Sequence, residues 1–262
     1  MFNLTPMVKN LLIVNLVVFF LESILKMDFA VTFGLRYILA DSFAPYQFIT
    51  YMFVHGSFMH LFGNMFALII FGNMLERFWG PKRFLFFYMV TGIGAGLLYA
   101  TIDYIETSAV SNDAMAYLAD PDPEAFNLFV VQHASQYYES LISFIDAYVE
   151  NPNNPEYISQ SRVFVQDLMG RIENVPMVGA SGAVFGILMA FGMLFPNTQL
   201  FLLFPPIPIK AKYLVFFYGA YELYSELNRS QGDNVAHLAH LGGMLIAFIV
   251  IKYWQKNSSK FY

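Results

Sequence analysis

Six stretches of mostly apolar residues punctuate this chain, at about 8–27, 57–76, 84–103, 178–196, 211–226 and 235–254. A helix needs about 20 such residues to cross the hydrocarbon core of a bilayer. Inside that core every backbone N–H and C=O must be bonded within its own segment. The stretches therefore predict an all-α polytopic membrane protein, a bundle of six transmembrane helices with the lipid bilayer as its solvent. Composition agrees, with 57% hydrophobic and 13% charged residues, where a soluble domain carries about 25% charged. The absence of cysteine removes disulfides, thiolate chemistry and Cys-ligated zinc. A net charge of -5 gives no reason to expect a nucleic-acid partner. No small-residue cleavage site ends the first apolar run after Lys9, so it reads as a retained helix and not a signal peptide.

Between the third and fourth stretches lies a polar insert, 104–176. From Asp103 to Glu173 it holds 12 acidic residues but only Arg162 and Arg171 as bases. Phe126, Phe129, Val130, His133, Tyr137, Leu141, Phe144, Ile145 and Tyr148 recur at helical spacing, as do Ile158, Phe164, Leu168 and Ile172. The insert thus reads as two amphipathic helices joined by the Pro/Asn turn at 151–155, a helical hairpin outside the membrane. Its apolar faces are expected to dock on the bundle, the membrane or another copy. The domain reading is one membrane domain over 1–262 with this insert inside it. Lys and Arg favour the cytoplasmic side. With both termini inside, Lys9, Arg77, Lys82, Arg83, Lys210, Lys212, Lys252, Lys256 and Lys260 fall on that side against one acid, Glu76. The insert is then extracytoplasmic, and the fourth helix runs inward from Val178.

Polar side chains inside such spans are functional candidates, and they form three groups. Ser181 lies in the opening turn of the fourth helix, where unbonded N–H groups favour an oxyanion. Taken alone, its stretch Val178–Gly186 reads more readily as close packing, because Gly182, Gly186 and Ala190 form a small-residue stripe. His237 and His240 open the sixth helix, beside the small residues Ala239, Gly243 and Ala247. Two such stripes can pack closely, and a histidine beside a serine is its usual activator. His55, His60 and Asn64 precede and open the second helix; His60 and Asn64 are four apart and share a face. They read as side-chain oxyanion donors or as an interhelical hydrogen bond. No H-E-x-x-H exists, and no acid lies near these histidines within helices two or six. No metal and no other cofactor is therefore expected, and no acidic partner for His240 either, so an orienting third group is absent or replaced by packing.

The chain resembles the rhomboid intramembrane serine proteases, chiefly of the bacterial branch. The resemblance lies in Gly179-Ala180-Ser181-Gly182, in Ala239-His240-Leu241-Gly242-Gly243 and in His60-Leu61-Phe62-Gly63-Asn64. Residues 51–65, 206–213 and the Glu76–Gly80 spacing add to it, and only the insert is left out. The resemblance implies a Ser181 nucleophile, a His240 general base and oxyanion donation by His60, Asn64 and the backbone N–H of Ser181 and Ala180. It implies that Phe185 stacks on the catalytic ring and that His55, Gly179 and Gly182 support the site. It gives His237 no catalytic part. The substrates implied are transmembrane proteins, cut near the outer face of a bacterial cytoplasmic membrane. The alternative class is a non-proteolytic rhomboid-like protein that binds transmembrane segments. The first external loop, 27–50, departs from the family by lacking its Trp-Arg pair.

Overall fold

The computed structural model describes residues 3–201, 207–228 and 235–257. Pro206 and Lys260, which entered the motif and charge readings above, lie outside them. The described chain is almost wholly helical: α1 Pro6–Leu25, α2 Phe29–Phe33, α3 Gln47–Thr50, α4 Phe58–Trp79, α5 Pro81–Ala119, α6 Pro123–His133, α7 Tyr138–Glu150, α8 Pro155–Glu173, α9 Ser181–Leu194, α10 Ala211–Leu227 and α11 His237–Asn257. Two short antiparallel strands, β1 Gln199–Phe201 and β2 Pro208–Lys210, pair between α9 and α10. All six apolar stretches are helices. Four of them, α1, α4, α5 and α11, are long and apolar enough to cross a membrane, so this is an integral membrane protein. α9 has 14 residues and α10 has 17.

The chain divides into two compact units, one of residues 1–35, 43–100 and 176–262, the other of 36–42 and 101–175. In the first unit, α1 starts at Pro6, whose missing N–H suits the first helical position. Thr5 is its N-cap, but the Thr5 side chain accepts no bond from the helix N–H groups. The buried Glu76 of α4 does that work. It accepts from Met7 N and Val8 N, both at 2.9 Å, and from Thr5 Oγ1 at 2.5 Å. A carboxylate there satisfies donors that have no partner within the helix and meets the positive end of its dipole. α4 itself is interrupted by a π-helical turn at Leu68–Gly72.

The second unit has its own core. Phe126, Val130, Tyr148 and Val165 are fully buried in it, and Tyr117 donates to Ser161 Oγ. The apolar faces of the insert therefore pack against one another and are not left for an external surface. Two boundaries differ from the sequence reading. The third span continues unbroken to Ala119, because hydrophobicity fades at 103 but nothing stops a helix before Asp120-Pro121. The single helix expected over 126–148 is two, α6 and α7, parted by a 3₁₀ turn at Ser135–Tyr137. Tertiary packing requires the break. On one straight helix Phe126 and Phe144 would be about 27 Å apart, whereas their rings meet edge to face at 5.6 Å.

Replacing Glu76 by Ala leaves the N-terminus of α1 without its acceptor. We expect a loss of about 1–3 kcal/mol, read as a lower thermal unfolding midpoint in detergent, with Glu76→Gln intermediate.

Candidate active site

The site lies in the first unit and begins with the segment that delivers Ser181. Leu35 and Met177 exchange backbone hydrogen bonds at 2.8 and 2.9 Å, and Gly179 N donates to Tyr51 O at 2.9 Å. These ties fix the extended chain just before the helix. Gly179 then turns with a φ of +123°, a conformation closed to other residues. A Cβ at this position would lie 2.6 Å from His60 Nε2 and 3.7 Å from Ser181 Oγ. The missing side chain is what brings the His60 ring and the serine hydroxyl to the same place. Ser181 is the first residue of α9 and is half-buried.

α4 brings the next two groups. Ser57 caps it by accepting from His60 N at 3.2 Å, which sets His60 in the first turn. Asn64 follows one turn later, buried, and its Nδ2 has no hydrogen-bond partner among the described residues. His55 lies in the preceding loop with its ring 5.0 Å from that of His60. Burial, with His60 beside it, pushes the His55 imidazole down to about 3, so the ring is neutral. Its Nε2 accepts from Ala180 N at 3.4 Å. The Ala180 N–H, expected to face an oxyanion, is thus directed at His55, and of the two backbone donors only that of Ser181 is left for such a role.

α11 contacts α9 at backbone distance. A Cβ on Gly243 would collide with the carbonyl oxygen of Gly182, so these helices meet with no side chain between them. Three residues earlier, His240 is buried with its ring stacked on Phe185, centroids 4.2 Å apart and planes 8° apart. Phe185 in turn takes the edge of Tyr218 at 6.2 Å. The small residues of α9 do not all serve this contact. Gly182 faces Ala95 and the Ala239 carbonyl, but Gly186 faces Thr91 of α5 and not α11. The turn of 100° per residue carries Gly186 about 40° off the line of Gly182.

The expectation that His240 lacks an acidic partner is overturned. Glu222, on α10, is 4% exposed. Its Oε2 accepts from Nδ1 of His240 at 2.9 Å and from Nδ1 of His237 at 2.5 Å. It lies on neither of the helices that carry the histidines. The signal was a glutamate inside an apolar helix, where an unpaired carboxylate is expensive. Could the three groups hold a metal? Their ligand atoms lie within 4.8 Å of one another. Two ligands on tetrahedral zinc sit about 3.3 Å apart, from bond lengths of about 2.0–2.1 Å. Nitrogen and oxygen at 2.5 Å are in direct hydrogen bonds with no room for an ion between them.

The apolar helices, with this set of serine, histidine, asparagine and glutamate packed among them, define an integral membrane protein with a polar centre inside its bundle. The family model for the rhomboid domain matches residues 42–113 and 147–256, well over half of the sequence, and the chain belongs to the rhomboid family. Rhomboid-like protein 11, chloroplastic, of Arabidopsis thaliana is 42% identical over 55 residues, 21% of this chain and 20% of its own length. Rhomboid-like protein 15 of the same plant is 34% identical over 85 residues, 32% of this chain and 18% of its own. The chain spans about a fifth of the length of each.

Gly243→Ala should force α9 and α11 apart. The expected loss is about 1–3 kcal/mol, the range for overpacking a close contact, measured as a drop in the thermal midpoint, while alanine at exposed Gly170, with open space around it, changes little.

Proposed function

We propose that the protein is an intramembrane serine endopeptidase that cuts transmembrane segments of membrane proteins through a Ser181–His240 pair. The observation that carries this is the backbone contact of Gly182 with Gly243. The residue after the serine meets the helix of His240 without a side chain between them. Phe185, one turn after Ser181, lies flat on the imidazole and limits its motion. Beside the same serine His60 is one candidate oxyanion donor, and the Asn64 amide, which has no hydrogen-bond partner among the described residues, is the other.

In the proposed reaction Ser181 Oγ attacks the scissile carbonyl carbon and His240 Nε2 takes its proton. The tetrahedral oxyanion is met by His60, Asn64 and the Ser181 N–H. As the peptide C–N bond breaks, His240 returns the proton to the leaving amine. Water then attacks the Ser181 ester with His240 again as base, and the serine is restored. Water must reach this depth. A helix of 14 residues is about 21 Å long, against a hydrocarbon core of about 30 Å. If its far end reaches the opposite interface, Ser181 lies below the near one, within reach of an unwound substrate helix. Both termini are proposed to be cytoplasmic, from the distribution of Lys and Arg. The site then opens toward the outer face, in a membrane of bacterial type as the motifs of 51–65 imply.

Purified full-length protein should cleave a reporter with a single transmembrane helix, and Ser181→Ala should abolish this without changing the unfolding midpoint. Asn64→Ala should slow turnover by about 10²–10³, the loss for one oxyanion donor. Cleavage that persists in Ser181→Ala would rule the mechanism out. Tight binding of transmembrane segments with no cleavage would favour the non-proteolytic class.

A further inference from the structure

Glu222 has no part in a serine–histidine pair, yet it is the most constrained carboxylate near the site. It sits on α10 among residues such as Tyr221, Leu223 and Tyr224 that are themselves exposed on the bundle surface, while it turns inward and is buried. A charge removed from water in this way persists only when its oxygens are bonded. Oε2 takes two bonds, from His237 Nδ1 and from His240 Nδ1. A carboxylate can only accept, so each imidazole must carry its proton on Nδ1. For neutral His240 this leaves Nε2 bare, the nitrogen a general base needs.

We propose that Glu222 is a positioning residue that fixes the Nδ1–H tautomer and the orientation of His240, with His237 holding the carboxylate from a second side. The proposal rests on the protease reading above and extends its pair to a serine–histidine–glutamate triad. Phe185 and Glu222 divide the task. A stacked ring restrains tilt but leaves the imidazole free to spin in its own plane and exchange Nδ1 for Nε2. A hydrogen bond to Nδ1 removes that freedom. Glu222 also opposes the positive charge that His240 acquires when it takes the serine proton, which is the other task of the third member in serine hydrolases. His237 has a separate use here: its bond to the same oxygen keeps the carboxylate in place while His240 gains and loses a proton. Among the described residues, the titratable groups around His240 are Glu222 from α10, His237 from its own helix and His60 from α4. α9 offers Ser181.

The test uses the purified full chain with the transmembrane reporter. Glu222→Gln should lower kcat by about 10² or more, toward the ~10⁴ lost when a serine–histidine–aspartate enzyme has its orienting carboxylate neutralised, with KM within about threefold. Glu222→Asp should recover part of kcat. Adding His237→Gln to Glu222→Gln should cost little more, because the two act through one bond network. Should Glu222→Gln not fold, ¹⁵N shifts of His240 in the unaltered protein at neutral pH decide the matter. A protonated Nδ1 with a bare Nε2 is expected, and an Nε2–H tautomer overturns the proposal. A folded Glu222→Gln with kcat within threefold of the parent overturns it too while leaving the protease reading intact. A parent protein that does not cleave, or a Ser181→Ala form that does, overturns the protease reading and this proposal together.

Discussion

The contact between Gly182 and Gly243 governs the rest of the site. Two helix backbones meet there with no room for one methyl group. In a bilayer no hydrophobic effect draws helices together, so packing of this closeness is what holds them. Its consequence is local. Ser181 immediately precedes one glycine, and His240 stands three residues before the other. The register that seats the glycines also brings Phe185 over the His240 ring. Glycine at these positions has a positional meaning that alanine would not reproduce.

A second constraint runs along the chain entering α9. The Leu35–Met177 bridge and the Gly179–Tyr51 bond hold an extended segment whose only freedom is the left-handed turn at Gly179. That turn admits the His60 ring where a side chain would otherwise lie. Serine and imidazole thus come together from the starts of two helices, α9 and α4. The remaining polar group, Glu222, comes from the middle of α10 and reaches both histidines of α11. The buried carboxylate Glu76 is satisfied differently, by the N-terminus of α1. Each of these two buried acids is matched to a particular set of donors, as low dielectric requires.

Much of this was legible in the sequence because it follows from short-range periodicity. All six apolar stretches are helices, and the ring of Phe185 stacks on that of His240 as the family resemblance implied. What escaped detection was non-local or depended on termination. Glu222 is 18 residues from His240 in sequence and on a different helix, so no motif joins them. α5 outran its apolar stretch because a helix stops at proline and not where hydrophobicity fades. The break between α6 and α7 carries no proline or glycine and exists for the sake of Phe126 and its neighbours. Gly186 belonged to a stripe in projection, yet Thr91 occupies its face.

The central claim is that Ser181 is a nucleophile made reactive by His240. Its most direct test is mass-spectrometric mapping of a fluorophosphonate adduct on the full chain in its membrane. The account predicts one adduct, on Ser181, whose formation is lost in His240→Ala. An adduct on another residue, or a Ser181 adduct that forms as fast without His240, would contradict it.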